Sequence, residues 1–216
     1  LYNRKRLLLQ KKPRDKKIAI VGNANLKSDQ SALIDSCDFV VRFNNCRNYG
    51  NNSGTKVSAV CITNTTLTDI KDFDYNLKDR TFHKDISEIW FPRSIPVHKR
   101  INHQYDYEDA SESIVEVNNL HSCKIVHFSD EMNENVFRLI RENGKKPFIC
   151  PSSGILAIEY ILGEDRFKEY NKFVFGFNFY MRGEDILGWY GHPWRIEKKI
   201  VLTYAATRDD FSFTHI

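Results

Sequence analysis

An α/β domain with a mostly parallel sheet flanked by helices is predicted for this chain by three observations. Short apolar runs rich in Val and Ile recur along it, continuous rather than alternating, as strands buried on both faces are. Segments of helical period separate those runs, the order that strand–helix–strand units require. The first runs end in Gly or Asn, residues suited to tight turns at strand ends. With 216 residues and 41% hydrophobic content, the chain can bury one substantial core.

Residues 17–22 (KIAIVG) form the first strand. Ser28 or Asp29 caps a helix over 30–37, and 38–43 (DFVVRF) gives the second strand. The Asn- and Gly-rich stretch 44–56 is a loop leading to a third strand at 57–63. This opening resembles half of a Rossmann-like, nucleotide-binding sheet. Runs 88–91 (EIWF) and 124–128 (KIVHF) add strands. Between them, 96–120 is polar, charged and aromatic with no clean period, and reads as an irregular lid or acceptor-binding segment. Residues 133–142 are helical, with Gly144 as a stop. A short strand at 147–150, a helix at 153–162, a strand at 172–179 (KFVFGFNF) and a helix at 193–206 complete the chain. No repeat or low-complexity tract divides it, so 17–216 is one domain preceded by an arm or linker, 1–16.

The formal net charge is a modest +4, and much of the excess sits in that basic arm. Such an arm can touch an anionic membrane surface peripherally. The rest lacks the basic, aromatic pattern of a nucleic-acid binder, so no nucleic-acid partner is expected. No apolar run approaches the length of a membrane span and no signal-peptide pattern is visible. The chain begins at Leu1, so an upstream segment is expected to have been removed. Five cysteines without CxxC or metal spacing read as small core residues, favouring a reducing compartment.

Four places carry candidate chemistry. Gly22-Asn23 follows the first strand, where a backbone without a Cβ lets a ligand approach and Asn23 offers a donor and an acceptor. Asn44 ends the second strand; both asparagines also suit plain turns. Ser152, Ser153 and Gly154 open a helix, with Ser153 placed as its N-cap. The exposed N–H groups there suit a phosphate or carboxylate. His192 precedes Pro193 at a helix start, where the cationic imidazolium is disfavoured and a neutral, proton-accepting ring is expected. Glu197, about a turn on, either orients His192 or satisfies backbone donors.

The runs VGNANL at 21–26, DFVVRFNNCRNYG at 38–50 and GTK at 54–56 resemble the long sialylmotif of glycosyltransferase family 29, the sialyltransferases. PSSGILAIEYIL at 151–162 with FVFGF at 173–177 is similar to their short motif, and HPWRIE at 192–197 to their very short one. The order agrees over residues 18–198. GFNFY at 176–180 is similar to a strand end of the bacterial family 42 sialyltransferases. The resemblance implies a sialyltransferase-type variant of the GT-A fold and an inverting, metal-independent transfer of an ulosonic acid from a CMP-sugar. Sialic acid foremost, or Kdo as the alternative, would move to an oligosaccharide or glycolipid acceptor; the other alternative is a catalytically silent nucleotide- or carbohydrate-binding module. By the same resemblance Gly22, Asn23, Asn44, Ser152, Ser153, Gly154 and Gly176 would hold the donor. His192 would be the base, Glu197 its companion, and Tyr180 would steady the departing phosphate. No cofactor is implied. Asp209-Asp210 and Glu184-Asp185 read as solvated acids rather than metal ligands. The animal family's stapling disulfide has no counterpart: Ile18 stands where one cysteine would be, and no cysteine lies at 160–163. That points to a bacterial cytoplasmic enzyme of capsule or lipopolysaccharide assembly, at the inner membrane face, with the Golgi lumen as the alternative if an anchor was removed.

Overall fold

The computed structural model describes residues 15–67, 77, 80–103, 107–144, 148, 150–179 and 191–214. In chain order the elements are β1 (Lys16–Val21), α1 (Ser31–Asp35), β2 (Phe39–Phe43), β3 (Ala59–Cys61), β4 (Thr65–Leu67), β5 (Glu88–Phe91), α2 (Ile95–Ile101) and β6 (Tyr107–Asp109). They continue with α3 (Ser111–Asn118), β7 (Lys124–His127), α4 (Asp130–Asn143), α5 (Ser153–Gly163), β8 (Tyr170–Phe175), α6 (Trp194–Thr207) and β9 (Phe211–Phe213).

Among the described residues seven strands make one sheet in the order β7-β5-β3-β2-β1-β8-β9, and every pairing in it is parallel. β4 and β6 form a separate antiparallel ribbon. The predicted α/β architecture is therefore the observed one. Its cause is visible in the strands: side chains of successive residues point to opposite faces, and both faces are covered. Ile18 and Ile20 of β1 join the core beneath α4, α5 and α6, while Ala19 and Val21 pack with Ile34 of α1. Trp90 of β5 enters the first core, and its neighbours Ile89 and Phe91 enter another with Ile114 of α3. The chain order reverses between β2 and β8, on either side of β1. In open α/β sheets that reversal leaves a crevice at the carboxyl ends of the strands, where ligands bind.

Several expectations need correction. The described residues of 96–120 are not irregular: they hold most of α2, all of β6 and α3. Ser94 caps α2 by accepting the Val97 N–H at 3.3 Å and donates to Asp130 Oδ1 at 2.5 Å, which binds the segment to the start of α4. The strand expected to reach residue 179 stops at Phe175, because Gly176 turns the backbone at φ +66°. Phe148 and Cys150 lie outside any strand. α1 starts at Ser31 behind Gln30, with Asp29 accepting the Ser31 N–H at 2.9 Å. Asp210, expected to be solvated, is buried and pairs with Lys172 at 2.8 Å. Residues 1–14 and 180–190, which include Tyr180 and most of the basic arm, lie outside the described residues. Among the described residues no helix is long and apolar enough to cross a membrane.

Candidate functional site

At the centre of the sheet the chains leaving β1 and β8 lie directly against each other. Gly22 N–H donates to Phe175 O at 2.8 Å, and Ala24 N–H to Gly176 O at 3.1 Å. A Cβ on Gly22 would stand 2.3 Å from Gly176 O. The close approach expected of a ligand at Gly22 is made by the backbone of Gly176. Both glycines shape the floor of the crevice, since neither position has room for a side chain.

Asparagines join the adjacent strand ends. Asn23 Nδ2 donates to Phe43 O at 3.2 Å, and its Oδ1 accepts the Arg47 N–H at 3.0 Å. Asn44 has φ +49°, a left-handed conformation that Asn tolerates better than most side chains. Its Oδ1 accepts the Thr63 N–H at 3.0 Å, which carries the link on to β3. Asn44 Nδ2 meets no acceptor among the described residues, and the side chain is half-buried, so this donor is open to a ligand. Thr63 Oγ1 then meets Ser153 Oγ at 2.9 Å. The turn reading and the ligand reading thus divide: Asn23 ties two turns together, while Asn44 does so with one end only.

Ser152, not Ser153, is the N-cap of α5, its Oγ accepting the Ile155 N–H at 3.2 Å. The same hydroxyl donates to Glu197 Oε2 at 2.6 Å, and the Ser152 N–H to Oε1 at 2.8 Å. Glu197 is buried, and burial pushes its pKa up to about 7 against the pull of those two hydrogen bonds and of Arg93. Of the two roles expected of Glu197, the structure shows the second: it satisfies a backbone donor at the start of α5. The N–H groups of Ser153 and Gly154, in the first turn, meet no acceptor among the described residues. Phe177 covers Gly154 so closely that a Cβ there would stand 2.4 Å from its ring.

His192 stands two residues ahead of α6, with Pro193 at the N-cap. Its Nδ1 lies 2.8 Å from Cys150 O. A carbonyl only accepts, so Nδ1 carries the proton and Nε2 is the basic nitrogen. Burial first, then the charge of Arg93, hold the imidazole pKa down to about 3, so the ring is neutral at physiological pH. The Cys150 thiol, 3.7 Å from Nδ1, is pushed up to about 11 by burial and stays protonated.

Three residues escaped the sequence reading: Thr63, Asn64 and Arg93. Asn64 Nδ2 donates to Arg93 O at 3.1 Å while Oδ1 accepts the Arg93 N–H at 3.1 Å. The Arg93 side chain donates from Nη1 to Thr65 Oγ1 at 2.9 Å. Their signal was position alone, just past the strands AVC and EIWF. Tyr180 lies outside the described residues, and no group of three His, Cys, Asp or Glu among the described residues is placed to hold a metal ion.

The carboxyl edge of a parallel α/β sheet thus brings together open donors of the kind that suit anionic oxygens, a capped helix start and a neutral imidazole. The crystal structure of a mammalian sialyltransferase shares this fold, with a TM-score of 0.56 and 20% identity over 92% of this chain and 68% of that one. The urease operon 23 kDa accessory protein of Rhizobium meliloti (strain 1021) is 26% identical over 209 residues, 88% of each chain. No protein-family model matches the sequence.

Proposed function

We propose that this chain is an inverting, CMP-sugar-dependent glycosyltransferase that moves an ulosonic acid, sialic acid foremost, to a hydroxyl of an oligosaccharide or glycolipid. The observation that supports it is a continuous line of contacts. Asn44 bonds Thr63, Thr63 meets Ser153, and the segment entering α5 holds His192 through Cys150 O and Glu197 through Ser152. Residues far apart in sequence thus meet at the carboxyl edge of one sheet. The fold shared with the sialyltransferase adds to that reading, as do the motifs that carry Asn23, Asn44, Ser153 and His192.

In this reaction the acceptor hydroxyl gives its proton to His192 Nε2 as its oxygen attacks the anomeric carbon. The glycosidic bond to CMP breaks, and the electron pair leaves with the phosphate. The N–H groups of Ser153 and Gly154 and the Asn44 amide supply donors for anionic oxygens, aided by the positive end of α5. Tyr180, by the resemblance, joins them. CMP is already a good leaving group, so positioning, a base and charge stabilisation suffice, and the reading calls for no resident cofactor. Surface-glycan assembly is the setting it suggests.

The test is release of CMP from CMP-sialic acid and from CMP-Kdo with and without acceptor. His192→Ala is expected to lower kcat by about 10²–10⁴-fold while CMP affinity stays within about twofold. Full activity in that variant would remove the base, and failure of the wild-type protein to bind CMP would remove the transferase.

A further inference from the structure

Arg93 is a buried cation whose role the fold leaves incomplete. It follows Pro92 at the carboxyl end of β5 and is only 7% exposed. Its backbone is clasped from both sides by Asn64, yet its guanidinium makes one hydrogen bond, from Nη1 to Thr65 Oγ1. Nε is buried without an acceptor, and among the described residues no carboxylate lies within ion-pair distance of the group. A guanidinium offers five donors in a planar fork, and leaving such a charge buried without an anion is costly. Arg42, also buried, shows the contrast: five acceptors surround it.

The surroundings indicate where a missing anion would sit. Asn64 directly follows Thr63, which meets Ser153, so Arg93 borders the line of contacts already described. Its charge also reaches His192, Cys150 and Glu197, depressing the imidazole and the thiol and drawing the carboxyl down. In the sheet, β5 stands three strands from β1, roughly 14 Å at the usual strand spacing. The guanidinium thus belongs to the imidazole end of the crevice, away from the turn at Gly22 and Asn23.

We propose that Arg93 binds a sugar carboxylate of the substrate at the imidazole end of the crevice. The inference rests on the transferase reading. A carboxylate matches the guanidinium fork with two parallel hydrogen bonds. Two sources share that chemistry: the carboxylate of the donor ulosonic acid, and that of an acidic acceptor sugar.

The experiment compares wild type with Arg93→Met and Arg93→Lys. It reads CMP affinity by calorimetry and KM for CMP-sialic acid, lactose and sialyl-lactose in the transfer assay. If the donor supplies the carboxylate, Arg93→Met raises KM for CMP-sialic acid about tenfold to a hundredfold, as loss of a charged hydrogen bond does, with CMP affinity unchanged. If an acidic acceptor supplies it, only the KM for sialyl-lactose rises. Arg93→Lys keeps the charge without the fork and is expected to fall between; it stands in should the Met variant fail to fold. Unchanged constants in a folded variant overturn the inference and leave the transferase intact. Loss of CMP affinity assigns the guanidinium to the phosphate and also overturns it. Wild-type protein that binds neither CMP nor CMP-sialic acid removes both readings together.

Discussion

Ser152 and Ser153 are neighbours of the same type, and the structure gives them different work. The Ser152 hydroxyl is saturated: it accepts the Ile155 N–H and donates to the buried Glu197 carboxylate. Ser153 makes one side-chain contact, to Thr63 Oγ1 at 2.9 Å, beside first-turn N–H groups that remain open. Removing the Ser152 hydroxyl loses a helix cap, about 1 kcal/mol, and leaves a buried carboxyl oxygen without its donor, about 1–3 kcal/mol. Ser152→Ala is therefore expected to destabilise the fold by about 2–4 kcal/mol, read from the urea unfolding midpoint. Ser153→Ala is expected to cost about 1 kcal/mol or less but to weaken CMP-sugar binding. Equal stability losses in the two variants would contradict this division.

Among the elements, the loop between β2 and β3 shows how one side chain organises a site. Arg42 is fully buried, and its Nε and Nη2 donate to the carbonyls of Lys56, Ser53 and Gly54 at 2.7–2.9 Å. Its Nη1 donates to Ser53 Oγ and Asn48 Oδ1. Asn48 in turn donates from Nδ2 to Gly22 O at 2.7 Å, so the loop is bound to the β1 turn. From the other side Asp35 of α1 accepts the N–H groups of Thr55 and Lys56. Lysine cannot reach three carbonyls with a fork. Arg42→Lys is therefore expected to cost about 3 kcal/mol, since buried carbonyls lose their donors. Amide exchange should quicken across residues 44–56 well before it does in β1. Uniform protection in the variant would deny the arginine this function. Arg42 also shows what sequence can convey. In FVVRF the apolar neighbours betray a buried strand, but nothing local says that the arginine is buried too. Its partners lie 6–14 residues on, in a loop whose path only the fold defines. The same holds for β4 and β6, three residues each, and for α2, whose cap is tied to Asp130 across 36 residues. Long or strongly apolar elements such as β1, α4 and α5 were legible because their own burial pattern specifies them. In the site, Asn44, Ser153 and His192 were legible by type and order. Thr63 and Arg93 were not, because Thr63's place beside Ser153 and Arg93's beside Asn64 follow from strand order alone.

At the scale of the whole molecule, the covered sheet places His98, His192 and Glu197, among other titratable groups, where water poorly solvates their charged forms. Burial pushes His98 and His192 down to about 3 and Glu197 up to about 7. These shifts act on stability with opposite sign. An unfolded histidine binds its proton near its model value of 6.5. In the folded chain burial keeps both rings neutral down to about pH 3, so stability is full above 6.5 and is lost as the pH falls toward 3. Glu197 does the reverse. Unfolded, it releases its proton near 4.5, while the folded form holds it to about 7. Its contribution is complete below pH 4.5 and is lost as the pH rises through 7. Other carboxylates, such as Asp109 and Asp210, are held below their usual range despite burial, by hydrogen bonds and neighbouring cations. They add to acid lability, so the raw stability curve mixes several groups. The difference between Glu197→Gln and wild type isolates one. A glutamine can still accept the Ser152 N–H and donate to its hydroxyl, so the fold should persist. Relative to wild type, the variant should show a constant offset below pH 4.5, then gain stability with a slope of about one proton up to pH 7, and level off above it. Urea unfolding at half-unit pH steps measures this directly. A difference that stays flat from pH 4.5 to 7 would mean that the folded chain holds the Glu197 proton no more tightly than the unfolded one, and that its bonds to Ser152 at least offset its burial.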